Sequence, residues 1–282
     1  MITSCNIRIT VLVEDSSPRL DLVAEHGLSI WVEAYGLKIL FDTGQSNAFL
    51  ANGRRLGIPV ESADALVVSH GHYDHTGGLR YLGDMDLPSG IFLHPAALQA
   101  RFRRLDGPAH KPIGMPPAAR RSIERMAEKV IYTNGPHPIT RQIGITGQIP
   151  RQIPFEDVGG PFFLDPHLTR LDQVLDDQAM WIQTGKGLIV ILGCAHAGVV
   201  NTIQTIKALT GFQDFRAVIG GMHLTSASTE GLEATTEALQ AFDIQAIMPC
   251  HCTGPEATGF MARKLGSLVK PIATGSEILF DC

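Results

Sequence analysis

Ser69-His70-Gly71-His72-Tyr73-Asp74-His75-Thr76-Gly77-Gly78-Leu79 decides how this chain is read. Three histidines and an aspartate follow the apolar run Ala65-Leu66-Val67-Val68. Neutral imidazole and carboxylate suit a borderline divalent ion such as zinc. The stretch therefore reads as a set of metal ligands at the end of a buried strand. On extended backbone His70 and His72 point the same way, because side chains alternate with period two. The turn that follows can direct Asp74 and His75 toward a neighbouring position, which supports two metals. Histidine pairs carried on one helix need i, i+4 spacing, which is absent here.

The same pattern recurs further along. Apolar strands run out into polar, histidine-bearing loops at Gly193-Cys194-Ala195-His196-Ala197-Gly198, at Gly220-Gly221-Met222-His223 and at Pro249-Cys250-His251-Cys252-Thr253-Gly254. In layered α/β proteins the core fixes the strand ends while the loops remain free to build a site, so distant ligands can converge. Cys194 and Cys252 flank histidines; His and Asp already fill a site, so both read as small core thiols. His94, between a short strand and Pro95, reads equally as a turn or a site residue.

The rest of the chain supplies the scaffold. Strands are predicted from Ile7 to Val13, Ile30 to Glu33 and Leu37 to Phe41, the last two joined by a Tyr35-Gly36 turn. Phe41 leads into Asp42-Thr43-Gly44, where Asp42 reads as a structural cap. Ser46 is a candidate N-cap for a helix to about Leu56, and Thr76 for a short helix after the cassette. Val60 to Val68 brings the chain to the cassette, with Ala65 to Val68 as its buried strand, and another short strand is expected from Ile91 to His94. A second hairpin spans Ala179 to Leu192. Helix and strand then alternate: Val199 to Leu209, Ala217 to Ile219, Thr229 to Ala241, Ile244 to Met248, Glu256 to Leu265 and Glu277 to Phe280. Between 100 and 166 this rhythm fails around recurrent Pro and Gly, apart from a charged helical patch from Ala118 to Lys129.

Across 282 residues, 44% hydrophobic and 18% charged content indicates a filled globular core. The net charge of -5 hides an asymmetry. From Arg101 to Arg151 there are ten Lys/Arg against three Asp/Glu. That basic, irregular stretch is the preferred candidate for a lid over an anionic substrate, with Arg120 and Arg121 as substrate-binding residues. No apolar run reaches the roughly 20 residues a bilayer requires, and Met1 to Val13 shows no signal-peptide pattern. Five cysteines (Cys5, Cys194, Cys250, Cys252, Cys282) make no disulfide framework, so a reducing cytoplasm is expected. The overall negative charge argues against a nucleic-acid partner, and no membrane partner is expected.

HxHxDH after a strand resembles the signature of the metallo-β-lactamase superfamily. The resemblance implies an α/β fold, a four-layer αββα sandwich with the metal site at one edge of the two sheets. It implies one domain over 1–282, within which 100–166 is the irregular basic stretch read above as a lid or insertion. Asp42 matches the family's first motif, the cassette its second and His196 its third. By that match His70, His72 and His196 would hold one metal, and Asp74, His75 and His251 a second. Glu25-His26-Gly27-Leu28-Ser29, Asp176-Asp177 and the three later histidine loops together resemble one branch. It is named for dihydropterin ribofuranosylaminobenzene phosphate synthase.

One departure stands out. The superfamily's fourth motif usually supplies an aspartate that bridges the metals, and Gly220-Gly221-Met222-His223 contains no carboxylate. His223 would then be a terminal ligand or contact the substrate. The implied cofactor is zinc, one ion or two, with iron or manganese compatible. The implied function is a metal-dependent hydrolase of a small phosphate- or carboxylate-bearing substrate, acting through a metal-bound hydroxide. Asp74 would orient the water, and His223 or His26 would steady the developing charge. The alternatives are a transferase condensing a pterin diphosphate with an aminobenzene ribosyl phosphate, an iron oxidoreductase, and a non-catalytic metal sensor. A homo-oligomer is compatible with this reading.

Overall fold

Apolar alternation makes Asn6–Val13 a strand, and its antiparallel neighbour Ser29–Ala34 returns through Tyr35-Gly36 as Leu37–Phe41. Both turn residues have positive φ, 54° and 81°, as the two-residue turns that match strand twist require. The computed structural model describes residues 6–83, 86, 87, 89–107 and 109–281. Met1–Cys5, within the N-terminal reading above, and Pro108 and Cys282 lie outside the described residues. The residues gather into two compact units. One is Met1–Ala100 with Ile113–Tyr132 and Ala273–Cys282; the other is Arg101–Pro112 with Thr133–Ile272.

The first unit holds a seven-stranded sheet, in the order Glu277–Asp281, Asn6–Val13, Ser29–Ala34, Leu37–Phe41, Ala65–Val67, Gly90–Leu93 and Val130–Tyr132. The first four strands pair antiparallel and the last four parallel. Parallel pairing brings several carboxyl ends to one edge, so Phe41 opposite Val67 sets Asp42 beside the start of the histidine cassette. The helices Ala48–Leu56 and Pro117–Arg125 contribute Ala48, Phe49, Ala119 and Ile123 to one buried core with Trp31, Leu40, Leu66 and Leu93.

In the second unit the sheet runs Asp243–Ile244, Asp214–Gly220, Gly187–Leu192, Met180–Thr184, Ile143–Ile145 and His137–Pro138, with Ile247–Pro249 also on Asp214–Gly220. Gly187–Leu192, Asp214–Gly220 and Ile247–Pro249 are parallel, with Leu192 opposite Gly220 and Gly220 opposite Pro249. Their three carboxyl ends therefore stop level, and each opens into one of the histidine loops. In open α/β sheets that edge is where loops are free to bind ligands. The helices Val199–Thr210, Thr229–Gln240 and Pro255–Leu265 bury Ile203, Ile206, Leu239 and Met261 with Leu188, Val190 and Val218.

Several sequence expectations change. The approach to the cassette is a short 3-10 turn, Val60–Ser62, and the strand that follows pairs over Ala65–Val67. Thr76 closes the helix Tyr73–Thr76 and also stands at the N-cap of the short 3-10 helix Gly77–Tyr81, but its hydroxyl donates back to the His72 carbonyl at 2.8 Å and makes no cap bond. The helix after Gly44 starts at Ala48, while Ser46 accepts from the Ala48 amide at 3.1 Å. His94 is a turn residue whose Nδ1 accepts from the Ala96 amide at 3.1 Å. Ile244 to Met248 splits into two strands. The irregular 100–166 stretch is shared out: its helix Pro117–Arg125 and strand Val130–Tyr132 belong to the first unit, whereas Phe102–Arg104, His110–Pro112 and Phe162–Phe163 form a small sheet in the second.

Candidate metal centre

Asp42 organises the ligands of the first unit. It is fully buried, at φ 56°, a backbone region that costs a non-glycine residue of order 1 kcal/mol or more and is retained mainly at functional positions. Its Oδ1 accepts from the Ser69 amide at 2.7 Å, and its Oδ2 from the Ser69 hydroxyl at 2.6 Å and from His75 Nδ1 at 2.7 Å. Asp42 is thus no local cap: it ties together residues 27 and 33 positions away.

These bonds fix protons. His75 donates from Nδ1 to a carboxylate, so its Nε2 carries the lone pair. Ser69 has one hydroxyl proton and gives it to Asp42, so at 2.9 Å it accepts from His70 Nδ1. His70 Nε2 then carries a lone pair too, and it faces His72 Nδ1 at 2.9 Å. Two nitrogens on one zinc, with Zn–N about 2.0–2.1 Å and tetrahedral angles, lie roughly 3.4 Å apart. The pair stands at hydrogen-bonding distance, about 0.5 Å closer than a shared ion would set it, so a small ring rotation would be needed to hold one. The buried rings of His70 and His75 stand 4.3 Å apart by centroid. Asp74 completes the group, with its Oδ2 at 3.3 Å from His26 Nε2 and 3.9 Å from His75 Nε2. Exposed His26 links it at Nδ1 to Asp15, 3.0 Å away, and the neighbouring Leu28 amide donates to the Asp74 carbonyl at 3.2 Å. The Glu25-His26-Gly27-Leu28-Ser29 stretch is thus a brace for Asp74.

Partners that orient a ligating histidine are typically worth 10–100-fold in metal affinity. Asp42→Asn is therefore expected to weaken zinc binding by about that factor while keeping the buried shape. Competition titration against a chromophoric chelator reads this directly; an unchanged affinity would remove Asp42 from the account.

In the second unit, His196 is fully buried and donates from Nδ1 to the Val158 carbonyl at 2.8 Å, which again leaves the lone pair on Nε2. His251 is buried, at the start of the turn His251–Thr253. His223 sits with its ring centroid 4.2 Å from that of His196, its Nε2 at 3.1 Å from the Gly159 carbonyl, and its amide donating to Cys252 Sγ at 3.3 Å. Ala195, His223 and His251 all take positive φ, near 50°, so each loop turns sharply just beyond its strand. Gly221 permits their close stacking: a Cβ there would stand 2.6 Å from both Cys252 Sγ and the Gly193 carbonyl. The Cys252 thiol titrates well below its usual range; burial opposes this, but a hydrogen bond with Cys194 and the nearby His251 and His223 outweigh it.

The sequence reading missed the groups that support these loops. Arg101 is fully buried with Asp172, 2.9 Å from its Nε, and Asp176, 2.9 Å from Nη1. Asp177 accepts from the Ala197 amide at 2.8 Å, and burial pushes its pKa up to about 6. Arg151 donates to the His196 carbonyl at 2.5 Å. Glu156 accepts from the Val200 and Asn201 amides at 2.7 and 2.8 Å, at the start of helix Val199–Thr210. Asp176-Asp177 was visible as a double acid; its partners, 75 residues away in Arg101's case, were not.

Burial raises the Glu156 pKa to about 7 from 4.5. A carboxyl whose folded pKa is raised costs nothing below its unfolded pKa and costs most above its folded one. Stability is thus expected to fall as pH rises from about 4.5 to about 7, by on the order of 2–3 kcal/mol. Glu156→Gln should remove that portion. Urea unfolding of both proteins at pH 5 and pH 8 tests it; parallel pH dependence in the two would contradict the assignment.

A cavity of about 470 Å³ lies in the second unit, lined by Phe155, Glu156, Asp157, Met222, His223 and Leu224 among others. Volumes of this size accommodate small molecules. Arg120 and Arg121, expected to bind substrate, lie on the exposed side of helix Pro117–Arg125. Arg120 reaches Glu124 Oε1 and the Leu98 carbonyl, both at 3.1 Å.

Comparison with known proteins agrees with this geometry. A family model described as the metallo-beta-lactamase superfamily matches residues 23–84. A 7,8-dihydropterin-6-methyl-4-(beta-D-ribofuranosyl)-aminobenzene-5'-phosphate synthase of Methanocaldococcus jannaschii is 32% identical, over 98% of this chain and 97% of its own. The crystal structure of Tm1679, described as a metal-dependent hydrolase of the beta-lactamase superfamily, superposes with a TM-score of 0.83 at 29% identity, covering 98% of this chain and all of that one. YhfI from Bacillus subtilis, a metallo-beta-lactamase fold protein, shares the fold at 14% identity and a TM-score of 0.59, over 98% of this chain and 100% of its own. The fold is the α/β fold expected from the histidine cassette, and this chain belongs to the metallo-β-lactamase superfamily.

Proposed function

We propose that the chain is a metal-dependent hydrolase of a small substrate bearing a phosphate or carboxylate. The observation that carries this reading is the proton placement around Asp42 and Ser69, which leaves His70 and His75 with lone pairs on Nε2. His70, His72 and His196 would hold one zinc, and Asp74, His75 and His251 a second; the donor set of nitrogens and one carboxylate fits that ion. Bound there, such an ion supplies Lewis acidity and lowers the pKa of water to about 7.

The chain's own residues supply position. Asp74, braced by His26, orients the attacking water. His223, with Nε2 on the Gly159 carbonyl, lines the cavity and presents its ring to the substrate. The named acids of that lining, Glu156 and Asp157, suit the neutral or hydrogen-donating part of a substrate better than its anionic part. In this reading the anionic group falls to the metals, and the cysteine content favours a cytosolic setting.

A transferase reading has its own support, because the Methanocaldococcus jannaschii relative is named a synthase. Phosphoester, lactone and thioester substrates, assayed with zinc, manganese and iron added back, separate the two. Hydrolysis that falls at least about 100-fold in Asp74→Ala fits general acid–base and positioning roles. If Asp74→Ala is as active as the parent on every substrate, the hydrolase reading is lost. Turnover only with a pterin diphosphate and an aminobenzene ribosyl phosphate, with release of pyrophosphate, would establish the transferase instead.

A further inference from the structure

The fourth loop lacks the carboxylate that usually joins two metals in this superfamily, and the second unit offers another anion in its place. Cys194 stands on the carboxyl end of Gly187–Leu192, two residues before His196. It is 2% exposed. Its Sγ lies within 4.8 Å of a ring nitrogen of His196, and equally within 4.8 Å of a ring nitrogen of His251. Those two histidines belong, in the proposed function, to different metals. Sulfur and nitrogen sharing a zinc, at about 2.3 and 2.0–2.1 Å from it, lie roughly 3.5 Å apart, so modest side-chain adjustment suffices on either side. Cys252 and His223 also have donor atoms within 4.8 Å of Cys194 Sγ. Cys252 is placed differently: its Sγ lies 3.7 Å from the Cys194 carbonyl and accepts the His223 amide at 3.3 Å, which ties it to the loop backbone, and it is hydrogen-bonded with Cys194 as well.

We infer that the Cys194 thiolate is the bridging ligand, doing here what an aspartate does in the superfamily's usual fourth motif. Sulfur is well suited to the role. A thiolate carries the same single negative charge as a carboxylate and joins two ions through one atom. A coordinated thiol is deprotonated outright, its proton passing to solvent as the metals bind. The left-handed turn at Ala195, φ 51°, lets Cys194 and His196 serve one site from a single short loop. His223 is then released from ligation and remains a wall of the cavity. The sulfur would also make the site softer than an all-nitrogen and oxygen one, favouring zinc over manganese.

This inference rests on the two-metal reading above, and X-ray absorption at the zinc edge separates the two. The zinc-loaded wild-type chain should show a sulfur shell at about 2.3 Å. Cys194→Ser should lose that shell and one zinc per chain, Cys194→Asp should regain the zinc without the shell, and Cys252→Ser should keep both. Zinc surrounded by nitrogen and oxygen alone in the wild type overturns the bridge without touching the two-metal reading, and needs no variant to fold. A shell that survives Cys194→Ser and disappears in Cys252→Ser also overturns it, assigning the thiolate to the other loop. A wild-type chain that binds no zinc would sink both ideas together.

Discussion

Replacing His70 with alanine is expected to lower kcat/KM by about 10³-fold or more on any substrate the chain turns over, a loss of roughly 4 kcal/mol of transition-state stabilisation. The size follows from position. His70 is completely buried at the end of a three-residue strand, with Nδ1 on Ser69 and Nε2 facing His72 Nδ1 at 2.9 Å. Removing its ring deletes one donor and also releases the Ser69 hydroxyl that helps hold Asp42. Zinc content should fall with activity, while far-ultraviolet circular dichroism stays close to that of the parent. Full activity and full zinc in His70→Ala would show that the cassette is not the site.

The second large effect falls on stability. Arg101→Met is expected to destabilise the chain by about 3–5 kcal/mol in urea unfolding, because breaking a buried ion pair strands the remaining charge. Here two carboxylates are stranded. Asp172 and Asp176 both meet the guanidinium, and burial already raises the Asp172 pKa. The loss should therefore be smaller at pH 5 than at pH 8, since protonated acids are cheaper to bury. Adding Asp172→Asn and Asp176→Asn to Arg101→Met should recover part of it. A change below about 1 kcal/mol at pH 8 would place Arg101 among surface-like ion pairs, which contribute little.

How much of this was legible follows from sequence distance. The cassette, the hairpins and the strand-then-loop pattern at His196, His223 and His251 are local signals, and each lies where its periodicity placed it. Asp42 was visible as an acid at a strand end, but its role depends on Leu37–Phe41 and Ala65–Val67 lying parallel in one sheet, which no local pattern encodes. The closing strand Glu277–Asp281 pairs with Asn6–Val13 from the far end of the chain. Segment 100–166 defeated periodicity because its strands are two or three residues long and exchange partners across dozens of positions. Its basic charges read as a lid; two of them, Arg101 in a buried ion network and Arg151 on the His196 carbonyl, have structural partners that no local pattern announces. In the sequence the cysteines read as core thiols beside a site that His and Asp already fill; only the level ends of three parallel strands bring Cys194 near both His196 and His251.

In the proposed function, histidines from separate strand ends hold two ions. Zinc per chain, measured by mass spectrometry after dialysis against trace metal, tests it most directly when wild type, His72→Ala and His251→Ala are compared. Two ions are expected in the wild type and one in each variant. Equal metal content in all three, or none in the wild type, would contradict it.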